Sequence, residues 1–169
     1  NRVKKAEKKE RKKILILFSL IVALLLIILF SAIFYIRASR PMRQAKEEAI
    51  QLAKEHVDIQ RVDQFYWFTR EETYFSLVGE TEAGKNVVVI IPKTGEKLLV
   101  FDEKDGLTQE QTRAVVEELA PQERIKKITL GMFNDQVVWE VMTKGNDELH
   151  YYLIDFKDGS LVHRLPSQE

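Results

Sequence analysis

The histidines His56, His150 and His163 are the side chains first suited to metal ligation or proton transfer, and they are scattered along the chain. No H-E-x-x-H or similar spacing joins them, so no metal site is expected. Ser76 and Ser160 lack a G-x-S-x-G setting and a base partner at a recognisable spacing, which argues against a nucleophile. There is no cysteine, which removes thiol and zinc-thiolate chemistry and a lipid-modified Cys anchor. Glycines at positions 79, 84, 95, 106, 131, 145 and 159 fall one per turn, and no phosphate-cradling loop is formed. Carboxylates are adjacent at Glu47-Glu48, Glu71-Glu72 and Glu117-Glu118. Neighbours in a helix diverge by about 100° and neighbours in a strand point to opposite faces, so these pairs read as solvated faces, not acid/base couples. No catalytic residue, cofactor or metal is expected, and the chain is not expected to be an enzyme.

The more informative cluster is Phe65-Tyr66-Trp67-Phe68. In a strand Phe65 and Trp67 face one side and Tyr66 and Phe68 the other, while one helix covers one side of a sheet. The second side is expected either to meet the other half of the chain, with Trp139 and Tyr151 or Tyr152 across an interdomain seam, or to receive a partner protein. Trp and Tyr dominate interface hot spots, so Tyr66, Trp67, Phe68, Trp139 and Tyr151 are the candidate partner or interdomain surface.

The element that fixes where these residues operate is the run Ile14 to Ile36, 23 residues without a charge, Gly or Pro. As a helix it extends roughly 35 Å, enough for a hydrocarbon core of about 30 Å. Eighteen of its residues are Leu, Ile, Val or Phe. Their combined preference for the bilayer is about 5 to 11 kcal/mol, an upper bound. A buried globular helix would keep a polar edge, which this one lacks. A cleaved signal would end in a small-x-small site, whereas this run ends in Tyr35-Ile36-Arg37-Ala38-Ser39-Arg40. It is therefore expected to stay attached as a signal anchor. Ser19, Ala23 and Ser31 make only a weak small-residue stripe for helix pairing.

Residues 1–13 hold eight Lys/Arg and two Glu, against four basic residues in the ten after the span. The denser positive flank stays cytoplasmic, so everything after about residue 37 is expected outside the cell membrane. The basic tail suits the anionic inner leaflet. It has no aromatic interleaving that would mark nucleic-acid binding. The totals of 26 basic and 26 acidic residues balance, yet from residue 14 onward 18 face 24, a formal charge of −6. The chain opens at Asn1 instead of Met, and a few residues are expected before it.

Beyond the span, Arg40-Pro41 is expected to break or restart the helix. Met42 to Val57 then shows an Ala-rich amphipathic stripe at Ala45, Ala49, Leu52, Ala53 and Val57. Four strands follow, at Val62–Phe68, Thr73–Val78, Asn86–Ile91 and Glu96–Phe101. Thr108-Gln109-Glu110-Gln111 fits a capping box opening a second helix, whose inner face is Val115, Val116 and Leu119 and whose end is Ala120-Pro121. Four more strands are expected at Ile125–Phe133, Gln136–Thr143, Leu149–Phe156 and Ser160–Leu165. Sliding the sequence by 64 residues sets Lys93-Thr94-Gly95 on Lys157-Asp158-Gly159, Phe75 on Trp139 and Leu77 on Val141. A tandem repeat of about 60 residues follows. The class is α+β: a basic cytoplasmic tail (1–13), one N-terminal transmembrane helix (14–36), and two tandem helix-plus-antiparallel-sheet domains (37–104, including its lead helix, and 105–169).

The closing run Asp155-Phe156-Lys157-Asp158-Gly159-Ser160-Leu161-Val162 resembles the signature that ends PepSY-type domains. The first half departs from it, carrying Ile91-Pro92-Lys93-Thr94-Gly95 where the aspartate would stand. The whole plan resembles the TseB-like (YpmB-like) cell-wall elongation regulators of Gram-positive bacteria. That resemblance implies a cystatin-like fold in each PepSY-like unit and no catalysis. It also implies an accessory role toward a penicillin-binding protein, or another membrane enzyme of peptidoglycan synthesis. Two other readings stay open: a PepSY-like inhibitor or regulator of a membrane or secreted protease, and an ectodomain sensing a small wall-derived ligand. Alkaline phosphatase fused after the last residue is expected to be active in a bacterial host, and green fluorescent protein fused at the same place to stay dark. An inactive phosphatase with a fluorescent counterpart would reverse the orientation.

Overall fold

The structure, a computed structural model, describes residues 2–166, and the termini of the first and last expected segments lie outside the described residues. Contacts divide the chain into two compact units, Asn1–Gln44 and Ala45–Glu169. The first unit is part of helix α1 (Arg2–Val57). This helix is long and apolar enough to cross a membrane. The large side chains from Ile14 to Ile36 stand exposed, a surface that water would disfavour strongly.

Helix α1 does not stop at Arg40-Pro41, as the sequence predicts, but runs through with Pro41 inside. Pro41 has no N–H to give to the carbonyl of Arg37, and the backbone here is solvent-exposed, so water can satisfy that carbonyl in place of the missing bond. Ser39 adds its own hydroxyl to the carbonyls of Tyr35 (3.0 Å) and Ile36 (3.2 Å). The helix ends where Asp58 takes a left-handed conformation at φ 52° and turns the chain into the first sheet.

The second unit carries the α+β body. Strands β1 (Ile59–Thr69), β2 (Thr73–Thr81), β3 (Asn86–Pro92) and β4 (Leu99–Asp102) form one antiparallel meander in chain order. After a short 3-10 turn, helix α2 (Gln109–Leu119) leads into β5 (Arg124–Phe133), β6 (Gln136–Gly145), β7 (Glu148–Asp155) and β8 (Leu161–Pro166), a second meander of the same order. The predicted capping box is present, with Thr108 Oγ1 accepting from Gln111 N at 3.2 Å and Gln111 Oε1 accepting from Thr108 N at 2.9 Å. The inner face of α2 differs at one position. Val116 and Thr112 are buried but Leu119 is 49% exposed, because Ala120 takes over the last inward place.

The repeat is visible in register as well as in order. Phe75 lies opposite Ile91, and Trp139 opposite Ile154, each in the middle strand pair of its sheet. Each faces its own helix side: Phe75 borders the cluster of Ala49, Ala53, Leu77, Val89 and Ile91, and Trp139 packs with Val116, Leu130, Val141 and Ile154. The equivalent glycines Gly95 (φ 73°) and Gly159 (φ 76°) take the same left-handed turn. The turns differ before that point. In the second, Asp155 Oδ1 accepts the amides of Lys157 (2.7 Å) and Asp158 (3.1 Å), so the motif aspartate is a turn cap. In the first, Ile91 is buried in the core and the amide of Gly95 returns to the carbonyl of Pro92 at 2.9 Å.

The two meanders meet edge to face. Odd-numbered residues of β2 and β3 pack on α1, and the even-numbered ones point the other way. On that second face Tyr66, Val88 and Ile90 join the core beneath α2, while Phe68 joins Val138 and Leu153 on the opposite side of the second sheet. The edge strand β5 is thereby inserted into the face of the first sheet. A buried edge exposes unpaired carbonyls unless something caps them. Ser76, wholly buried, donates its hydroxyl to the carbonyl of Leu130 at 2.7 Å. Close approach also needs Gly131, since a Cβ there would overlap the Phe68 ring.

These contacts rank three substitutions by urea unfolding. Gly131→Ala is expected to destabilise most, by roughly 3 kcal/mol, because Phe68 is locked in the core. Ser76→Ala leaves a buried carbonyl unpaired and is expected to remove about 1 to 3 kcal/mol. Gly95→Ala, in open space, is expected to cost only about 1 to 2 kcal/mol through its positive φ. Gly95→Ala as the most damaging of the three would contradict this packing.

Candidate functional site

The structure places the aromatic residues of β1 on the two faces that alternation dictates. Phe65 stacks on Phe75 at 6.0 Å between ring centroids, and Trp67 meets Phe75 edge-on at 5.3 Å, both on the α1 face. Trp67 is half-buried, with its indole N–H donating to Thr69 Oγ1 at 3.2 Å. Tyr66 and Phe68 lie in the seam. Tyr66 packs edge-on against Trp139 at 5.5 Å and 87°, a preferred aromatic geometry. Both polar ends are satisfied, the Tyr66 hydroxyl donating to Gln109 Oε1 at 2.6 Å and the Trp139 N–H to the Leu107 carbonyl at 3.0 Å. Burial pushes the Tyr66 phenol up to about 12.

Tyr152 belongs to the same buried cluster as Tyr66 and Trp139, and Tyr151 does not. Tyr151 lies at the rim of the seam, beneath the guanidinium of Arg70 at 5.1 Å. Arg70, at the β1–β2 turn, also donates to Glu140 Oε2 at 2.5 Å. This ion pair ties the first sheet to the second, and nothing in residue spacing announces it. The Tyr152 hydroxyl donates to Glu123, whose carboxylate also accepts from Thr143 Oγ1 at 3.1 Å and lies near His150 and Arg164.

Of the residues weighed for chemistry, Ser76 and the histidines have structural neighbours. Ser76 caps the buried strand edge. His56 Nδ1 lies 2.9 Å from the carbonyl of Leu52, His150 borders Glu123 at 3.5 Å, and His163 stacks near Phe133. The adjacent carboxylate pairs are exposed on the surface. Among the described residues, no group of three or more His, Asp or Glu is placed to hold a metal ion.

Two concavities border the seam. One, of about 530 Å³, is an open groove beside the Arg70–Glu140 pair, walled by Phe133, Tyr151 and Leu165. The other, of about 240 Å³, has Tyr66, Val88 and Trp139 on its walls and the start of α2 at its mouth. Both are smaller or more open than the enclosed sites that bury drug-sized ligands.

The raised Tyr66 pKa carries a sign. The folded chain keeps this proton until about pH 12, whereas an unfolded tyrosine loses it near pH 10. Stability from this group is therefore complete below about pH 10 and falls as pH rises from about 10 to 12, by at most about 1.4 kcal/mol per pH unit. Tyr66→Phe loses the bond to Gln109, about 0.5 to 1.5 kcal/mol at neutral pH. The stability gap between wild type and Tyr66→Phe is thus expected to narrow above pH 10 in urea titrations. A constant gap would show that Tyr66 ionises as if exposed.

Comparisons with known proteins agree with this arrangement. Residues 48–92 match the model of the cell wall elongation regulator TseB-like domain. Residues 106–162 match that of the peptidase propeptide and YPEB domain, PepSY. A search of curated proteins finds no significant match. Among solved structures, the YpmB protein from Bacillus subtilis superposes with a TM-score of 0.64 at 22% identity, over 72% of this chain and 96% of that one. At that identity the likeness speaks for the fold. A putative lipoprotein from Clostridium difficile 630 aligns over 72% of this chain and 92% of its own, at 12% identity and a TM-score of 0.39, too low to carry an argument. The chain therefore carries a TseB-like domain and a PepSY domain in tandem, on the fold of YpmB.

Proposed function

We propose that this protein is a non-catalytic, membrane-anchored accessory protein whose extracytoplasmic domains bind and modulate a penicillin-binding protein during cell-wall elongation. The observation that carries the reading is the TseB-like match over residues 48–92, whose description is that of a cell-wall elongation regulator. Supporting it, α1 is long and apolar enough for an anchor, and the motif-bearing side chains serve packing and turns. In this reading residues 1–13 lie in the cytoplasm, 14–36 cross the membrane, and the units 37–104 and 105–169 work outside. Of the aromatic residues, Tyr66, Phe68 and Trp139 hold the seam, while Trp67 and Tyr151, both partly exposed, are left for a partner.

A second reading follows from the PepSY match over residues 106–162, a domain described with peptidase propeptides. There the partner is a membrane or secreted protease. A photo-crosslinking residue at position 67 in the full chain, followed by mass spectrometry of the adduct, separates the two. A penicillin-binding protein in the adduct supports the first reading, and a protease supports the second. Deletion of the gene is expected to alter wall-synthesis rate, cell width or the abundance of the partner. A deletion strain unchanged in all three would overturn the accessory role.

A further inference from the structure

The smaller concavity at the seam has a composition that selects a ligand. Its interior is aromatic and aliphatic: Tyr66, Val78, Val88, Leu107 and Trp139. Its polar rim contains three carboxylates, Asp63, Glu103 and Glu110, and no Lys or Arg lines it. Asp63 is paired with Arg61 at 2.8 Å, and Glu110 is within 4.0 Å of Arg113. Glu103 enters no ion pair among the described residues. The Tyr66 hydroxyl and the Trp139 N–H are turned to Gln109 and Leu107, so neither is a free donor; Val88 and Trp139 form a buried floor, and the open apolar surface is Val78, Leu107 and the 8% of Tyr66 that solvent reaches. At about 240 Å³ the cleft is below the roughly 300 Å³ at which drug-sized pockets begin, a size suited to one long side chain.

We propose that this cleft receives a lysine or arginine side chain presented by the partner protein. The aliphatic stem lies along Val78 and Leu107, above the buried Val88, and the cationic head reaches Glu103 at the rim beside the exposed part of Tyr66. An aromatic wall and an unpaired carboxylate favour a cation together, and an apolar interior rewards the stem. The formal charge of −6 from residue 14 onward steers such a group in the same direction. The inference rests on the partner-binding reading above and specifies what the partner must present.

The test uses the full chain in uncharged detergent micelles. The sequence has two tryptophans, so Trp67→Phe leaves Trp139, which lines the cleft, as the remaining reporter. The probes are acetyl-Gly-Lys-Gly-amide and its uncharged counterpart acetyl-Gly-norleucine-Gly-amide. The lysine peptide is expected to shift Trp139 emission saturably, with half-saturation on the order of millimolar. Glu103→Gln is expected to weaken this about fivefold, and Glu117→Gln, on the exposed side of α2, to leave it unchanged. An equal response to the norleucine peptide, the absence of saturation, or equal effects of the two Gln variants would overturn the proposal. The titration contains no partner, so its failure sinks the cleft alone. A responsive cleft in a chain whose deletion leaves wall growth unchanged would instead sink the accessory role.

Discussion

A sheet edge buried in protein has to find partners for its outward carbonyls, and the α+β body of this chain is arranged around one such edge. Strand β5 closes the second meander on one side and is pressed into the face of the first. Water cannot reach the Leu130 carbonyl there, so an unpaired group would cost about 1 to 3 kcal/mol. The Ser76 hydroxyl meets it, Gly131 lets Phe68 close over it, and Arg70 with Glu140 ties the rim. Among the described residues each sheet has one helix, and each would leave apolar area to water if it stood alone. Insertion of the edge solves both problems at once, which is why the aromatic pair Tyr66 and Trp139 sits where the two halves meet.

This arrangement gives several polar side chains structural partners. Ser76 is committed to a carbonyl, Asp155 to the amides of its own turn, and Glu123 to a tyrosine and a threonine. What is left at the surface is suited to recognition: a half-buried tryptophan, an arginine stacked on a tyrosine, and a small acidic cleft with apolar walls. TseB-like and PepSY domains are of the regulatory and propeptide type.

Much of the fold was legible because the signals were local. The apolar run, the strand alternation around Phe65–Phe68, the Thr108 capping box and the repeated glycine turns each depend on a few consecutive residues. Pro41 is a local signal that the structure overrides, since the helix runs on through it and the exposed backbone lets water satisfy the Arg37 carbonyl. Periodicity points Leu119 inward, yet the helix ends there and Ala120 fills the place. The site was less legible. The alternation put Tyr66 and Phe68 on one face, but the bond from Ser76 to Leu130 spans 54 positions and the pair Arg70–Glu140 spans 70. No local pattern encodes such distances. The one-per-turn reading of the glycines fails at Gly131, which lies inside β5 where the backbone closes on Phe68.

The claim that the two halves form one body through a capped, inserted edge is tested most directly by native-state hydrogen exchange of the full chain in sub-denaturing urea. Amides of β3 and β6, the central strands of the two sheets, are expected to exchange through the same global opening, with free energies agreeing within about 0.5 kcal/mol. If one sheet opened while the other kept its protection, with a gap of about 2 kcal/mol or more, the halves would be independent and the seam a mere contact.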